Sequence, residues 1–81
     1  MQPHFSGHFI RSYVHAPSNI QRVFDQKLRF LLVDLRHPSI RAKKYDEGKG
    51  TWQGRVTRDW RFYFAIKGDT YVFLDIRKHP K

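Results

Sequence analysis

The stretch Trp52-Gln53-Gly54-Arg55-Val56-Thr57-Arg58-Asp59-Trp60-Arg61-Phe62-Tyr63-Phe64-Ala65-Ile66-Lys67-Gly68-Asp69-Thr70-Tyr71-Val72-Phe73-Leu74-Asp75-Ile76-Arg77-Lys78 decides the fold. β-branched and aromatic residues fill it in three runs, at about 52–58, 60–67 and 70–78. The gaps between the runs are too short for crossover helices, so the three strands form an antiparallel meander. Side chains along a strand alternate between the two faces of a sheet. In the middle run Phe62, Phe64 and Ile66 share one face and Arg61, Tyr63 and Ala65 the other. In the last run Val72, Leu74 and Ile76 form one set, and Tyr71, Phe73, Asp75 and Arg77 the other, with His79 following in phase. In the first run Val56 takes the apolar side, and Gln53, Arg55 and Thr57 lie opposite.

These sets match across the sheet only if the hairpin loops have odd length. A two-residue turn at Gly68-Asp69 would set Arg61 on the face of Ile76, because a slip of one position exchanges every side chain between faces. A three-residue loop, Gly68 to Thr70, sets Arg61 across from Arg77. The expectation is one face carrying Arg55, Arg61, Arg77 and His79, with Tyr63, Tyr71 and Phe73 beside them. Two facing arginines repel unless an anion lies between them. Guanidinium forks match phosphate geometry, and aromatic rings stack on unpaired bases. The alternative is a plain water-facing sheet surface. Such a surface would carry more Glu, Lys and Thr than this one, whose only acid is Asp75, a candidate to orient His79 or Arg77 or simply to offset local charge.

Upstream, Ile20, Val23, Phe24, Leu28, Leu31, Leu32 and Leu35 recur at three- and four-residue steps and predict an amphipathic helix whose stripe packs on the sheet. Pro17 and Ser18 mark its start, with Ser18 and Gln21 in the form of a capping box. Pro38 ends it by His37. Residues 8–14 are aromatic and β-branched enough for a first strand. The segment 39–51 carries four basic side chains and predicts a short second helix from Ser39 or a loop, ending near Gly48 and Gly50. The order is β-α-β-β-β, an α+β fold with the helix over one face of the sheet.

Length and composition narrow the function. A chain of 81 residues is read as a single domain, 1–81. Sixteen Lys and Arg against seven Asp and Glu give a net charge of +9, and self-repulsion of that size is relieved by a polyanion. There is no cysteine, hence no disulfide and no thiolate metal site. No run of apolar residues is long enough to span a membrane, and Met1 to Gly7 lacks the apolar stretch of a signal peptide. A cytoplasmic protein with no membrane partner is expected. His4 and His8 stand four apart, but Pro3 and Gly7 oppose a helix there, so no metal site and no cofactor are expected.

The stretch from Trp52 to Phe64 resembles the RelE/ParE toxin superfamily: a tryptophan, an arginine three residues on, a hydrophobic residue, then an aromatic-arginine pair (Trp60-Arg61) opening an apolar strand. The spacing is similar to that of the YoeB-type branch of RelE-like toxins, with no gap. Arg77-Lys78-His79 resembles the basic, His-bearing tail of that branch, and Asp34-Leu35-Arg36-His37-Pro38 and Arg41-Ala42-Lys43-Lys44 fit upstream. The resemblance implies a RelE-like fold and the toxin of a type II toxin–antitoxin pair. It implies a metal-independent endoribonuclease that cleaves mRNA in the ribosomal A site and inhibits translation. Its partners would be a cognate antitoxin and ribosome-bound mRNA, in a toxin–antitoxin heteromer or a homo-oligomer.

By position, the resemblance makes Arg61 the group that stabilises the phosphorane-like transition state, Arg55 a second catalytic cation and His79 the general acid. Arg41, Lys43, Lys44, Arg58, Arg77, Lys78 and Tyr63 would hold RNA. Two departures stand out. The glutamate that serves the branch as general base has no counterpart, since Asp46 and Glu47 come later and His37 is a different group. The branch's terminal tyrosine is replaced by Pro80. A ParE-like inhibitor of DNA gyrase and a non-catalytic RNA- or ribosome-binding module are the alternatives.

Overall fold

In the computed structural model, which describes residues 1–80, the chain runs β1 (Gln2–Phe5), α1 (Gly7–His15), α2 (Ser18–Val33), β2 (Lys43–Asp46), β3 (Thr51–Arg55), β4 (Trp60–Lys67) and β5 (Thr70–Lys78). The strands form one sheet in the order β1-β5-β4-β3-β2. β1 is parallel to β5, and the other pairs are antiparallel. The α+β class and the C-terminal meander are as the sequence predicts.

The N-terminal half differs in three ways. Residues 8–14 lie in α1, not in a strand. Ser6 is extended, and its Oγ accepts from the Phe9 backbone N–H at 3.1 Å, which starts a helix where β propensity alone suggests a strand. The place beside β5 is taken by Gln2–Phe5 instead, and the Ser6 N–H donates to the Phe73 carbonyl at 3.1 Å. Second, α2 starts at Ser18 with no side-chain cap; the Gln21 amide donates to the Tyr13 carbonyl and ties α2 to α1. The helix ends at Val33, where Asp34 turns extended, four residues before His37. Third, no helix begins at Ser39. Turns lead into the edge strand β2, and the short helix of the fold is α1.

Both helices cover the same face. Phe9 of α1 and Ile20, Phe24 and Leu31 of α2 are buried against Phe62, Phe64, Phe73 and Ile76 of the sheet. Phe24 meets Phe62 edge-on at 5.2 Å between centroids and Phe73 at 5.8 Å. Each such ring contributes about 1.5–3 kcal/mol by burial, which is the main support for so small a domain.

Phe73 and Ile76 both face this core although they stand three apart, an odd step that alternation forbids. The reason is a bulge. The β4–β5 turn holds only two residues, Gly68 and Asp69, and Lys67 pairs with Thr70 through to Phe64 with Phe73. Leu74 is then unpaired, and Tyr63 pairs with Asp75, Phe62 with Ile76 and Arg61 with Arg77. The expected pairing of Arg61 with Arg77 therefore holds, but through a bulge and not an odd loop. The expected apolar set is corrected accordingly. Tyr71 and Phe73 are core residues, not neighbours of the arginines, and Val72 and Leu74 are only half-buried.

Gly54 pairs with Phe62, whose ring occupies the space where a Cβ would stand. A Gly54→Ala substitution is expected to destabilise the fold by about 1–3 kcal/mol through overpacking. Urea unfolding would read this as a lower midpoint with an unchanged slope.

Candidate nucleic-acid interface

The face opposite the helices carries two cross-strand rows. Arg55 pairs with Arg61 and Arg61 with Arg77. Two residues along the strands, about 7 Å away, Lys43, Gln53, Tyr63 and Asp75 form the next row on the same face. Arg55, Arg61 and His79 come together with Arg41, Lys43 and Gln53 around a cleft of about 280 Å³. Gln53 is 6% exposed, a buried polar side chain in the cleft wall.

Backbone contacts set the cleft's shape. The Arg55 N–H donates to the Ile40 carbonyl at 2.7 Å and pulls the 34–42 loop against the end of β3. The Lys27 ammonium reaches from α2 to the Ser39 carbonyl at 2.8 Å. His37 braces the same loop. Its ring stacks on Phe30 at 4.1 Å between centroids, and its Nδ1 accepts from the Ser39 N–H. Arg41 follows with φ of 50°, a left-handed conformation that costs a non-glycine residue about 1–2 kcal/mol. At the other wall, Nη1 of Arg61 donates to the carbonyls of Thr57, Arg58 and Trp60 at 2.6, 2.9 and 3.1 Å. This locks the guanidinium to the β3–β4 turn. The His79 N–H donates to the Asp59 carbonyl at 2.6 Å and holds the C-terminal segment beside that turn.

The electrostatics are one-sided. Among the described residues Asp75 pairs with Arg77 and lies 3.3 Å from His8 Nε2, and no cleft cation takes part in an ion pair. Desolvation lowers the Arg55 pKa from its usual value, and the charges of Arg41, Arg61 and Arg58 lower it further. Burial likewise lowers that of Lys27, with added repulsion from Arg55 and Arg41. An arginine stays protonated throughout, so this cleft holds several cations at close range, and among the described residues no acid lines it. An anion with several oxygens relieves that cost and gains charge-assisted hydrogen bonds.

Not every expected residue is here. Arg77 shares the face but lies over the Tyr63 ring at 4.5 Å, with Nη1 3.4 Å from Asp75. Tyr63 is only 3% exposed beneath it and offers no open ring. Lys44 falls on the opposite face, over Trp52. Lys78 pairs with Trp60, one step out of phase with Arg77, and is exposed. Arg58 is exposed in the turn and reaches the cleft through its field and its carbonyl. Asp75 engages Ser12, His8 and Arg77. Sequence reasoning missed Lys27, whose register on the helix gives no sign that it meets the 34–42 loop. It also missed Tyr45, the exposed ring beside Tyr63. His4 lies in β1 and His8 in α1, so they do not share a helix. Among the described residues no group of three or more His, Cys, Asp or Glu could hold a metal ion, and no helix is long and apolar enough to cross a membrane.

No family model matches the chain, and no curated protein matches it in sequence. Solved structures do match in fold. A YoeB/ParE toxin from Agrobacterium tumefaciens superposes with a TM-score of 0.82 at 14% identity, over 99% of this chain and 100% of that one. The YoeB dimer from Staphylococcus aureus gives 0.82 at 10% identity, over 99% and 98%. The RelB–RelE antitoxin–toxin complex from Methanococcus jannaschii gives 0.77 at 16% identity, over 93% and 88%. The chain therefore has the fold that the YoeB/ParE and RelE toxins share.

Repulsion within the cleft has a measurable consequence. Arg55 has no side-chain hydrogen bond among the described residues, so Arg55→Gln removes mostly repulsion. The variant is expected to unfold a few degrees higher than the wild type at low ionic strength, with the difference shrinking as salt screens the charges. Calorimetry across a salt series checks this.

Proposed function

We propose that this chain is the toxin of a toxin–antitoxin pair and a metal-independent endoribonuclease that cleaves mRNA on the ribosome. The observation that carries the reading is the unpaired cationic cleft, with the Arg61 guanidinium locked at its edge, in a fold shared with RelE and YoeB toxins. In this reading Arg41, Lys43 and Arg55 hold the phosphates on either side of the scissile bond. The 2′-hydroxyl attacks the neighbouring phosphorus, and negative charge grows on the non-bridging oxygens. Arg61 meets that charge where it develops, and its three carbonyl contacts remove the need to reorganise. The bond to the 5′-oxygen breaks as His79 donates a proton to it, leaving a cyclic phosphate and a 5′-hydroxyl. Among the described residues no carboxylate lines the cleft, so the 2′-hydroxyl proton passes to solvent water as the oxygen attacks, and turnover rests on charge stabilisation and the acid and is correspondingly slow.

The same absence favours a second reading, a module that binds RNA at the ribosome without cutting it. In either case the partner that neutralises the free protein is an antitoxin with an acidic segment, matched to a chain of net charge +9.

Expression of the chain without an antitoxin is expected to arrest growth and to create new 5′ ends in cellular mRNA, read by primer extension. Arg61→Ala is expected to lower cleavage about 100-fold or more. Arg61→Lys keeps the charge but not the fork and is expected to remain impaired. Arrest without new 5′ ends selects the non-catalytic reading, and undiminished cleavage by Arg61→Ala removes the catalytic one.

A further inference from the structure

Beside the cationic cleft, on the same face, lies a second pocket of about 190 Å³ with a different chemistry. We propose that it is a nucleobase subsite: Tyr45 supplies the stacking face, and Asp75 and Arg77 contact the base edge, while the neighbouring cleft holds the phosphate. The inference rests on the phosphate-holding reading of that cleft.

Tyr45 reaches the pocket through a bulge. Lys44 pairs with Trp52 and Asp46 with Thr51, so Tyr45 is the extra residue in β2, and bulges re-aim side chains in this way. Its ring meets Tyr63 edge-on at 4.9 Å between centroids and remains 53% exposed. Tyr63, 3% exposed, forms the floor, and the Arg77 guanidinium lies over its ring at 4.5 Å from the centroid. The free ring here is therefore that of Tyr45.

The charges of this pocket balance. Asp75 and Asp46 line it with Arg77 and Lys49, so a bare phosphate gains nothing here that the adjoining cleft does not give better. A planar, uncharged group with donors and acceptors on its edge fits. Asp75 Oδ1 is occupied by Ser12, the Ile76 N–H and His8, whereas among the described residues Oδ2 meets only Arg77, at 3.4 Å. Oδ2 retains room for an N–H of a base, and Arg77 can donate to a base carbonyl or ring nitrogen. Aromatic and guanidinium planes are the usual platforms for unpaired bases. The register places this row one step of about 7 Å from Arg55 and Arg61, with Gln53 in the cleft wall paired to Tyr63 in the pocket floor. One nucleotide can thus span both sites.

The test measures binding of the full chain to a labelled single-stranded hexaribonucleotide and to an abasic strand with the same number of phosphates. Tyr45→Ala is expected to weaken the intact strand about tenfold and to leave the abasic strand unchanged. Tyr45→Leu, which fills the space without a π-face, is expected to behave like the alanine variant, and Tyr45→Phe like the wild type. Arg55→Gln is expected to weaken both strands alike. Tyr45 variants that shift both strands equally, or neither, while Arg55→Gln weakens both, overturn the base subsite and leave the phosphate cleft standing. A wild-type chain that binds neither strand overturns both.

Discussion

Between Phe73 and Asp75 the last strand carries one residue more than its neighbour can pair, and that residue, Leu74, sets which face each later side chain takes. Tyr71 and Phe73 belong to the aromatic core on the helix side, and so does Ile76, two positions beyond the bulge. A regular ladder from a two-residue turn would bring Arg61 opposite Ile76 and set an arginine among phenylalanines, at the price of an unpaired buried charge. The extra residue lets a tight hairpin turn, a close-packed core and a row of three arginines coexist. The second bulge, at Tyr45, works in the same way on the far edge of the sheet. Both bulges lie next to the proposed site, where irregular pairing commonly re-aims functional side chains.

The cleft is costly to the unliganded protein. Arg41 sits in a left-handed conformation, Lys27 is partly desolvated, and Arg55 faces three like charges. None of this improves folding. It is tolerated because stability comes from elsewhere, from the ring cluster of Phe9, Phe24, Phe62, Phe64 and Phe73 on the opposite face. One link between the two faces runs through the backbone of Ile40. The Ile40 side chain is fully buried in the core, while its carbonyl accepts from Arg55 and fixes the loop that lines the cleft. Strain and repulsion concentrated at one site, with support distant from it, are the pattern expected of a functional surface.

How much of this was legible depends on which physical rule governed each residue. The meander was legible because period-two alternation and short gaps leave few other arrangements. The cluster of Arg55, Arg61 and His79 followed from parity, although the parity came from a bulge that no local pattern announces. α1 was misread because Ile10, Tyr13 and Val14 have strand propensity, yet Ile10 and Val14 are largely exposed and the deciding signal is Ser6, one hydroxyl that caps Phe9. Lys44, which the resemblance makes an RNA-holding residue, does not line the cleft, because alternation sends it to the other face, over Trp52. Lys27 and Tyr45 were invisible for a common reason: their place is fixed by long-range packing and by register, and neither is written in the residues around them.

The division of the basic face also bears on polarity. Its acids, Asp75 and Asp46, lie at the Tyr45 end of the face, and Asp75 is held by Ser12, His8 and Arg77, so its charge is met by Arg77 and not by Arg55 or Arg61. One end of the face is therefore aromatic and balanced in charge, and the other is cationic. A single strand of nucleic acid is itself divided, with flat uncharged bases on one side of the sugar and charged phosphates on the other. Laid on such a face it has one favourable lateral placement, because exchanging its two sides would set phosphate against Asp75 and leave the arginines facing bases. The arrangement sets which side of the bound strand meets each end of the face before any base is read. In the proposed reading, that placement would bring a backbone phosphate beside Arg61 and His79, which line one cleft, and keep it away from Asp75.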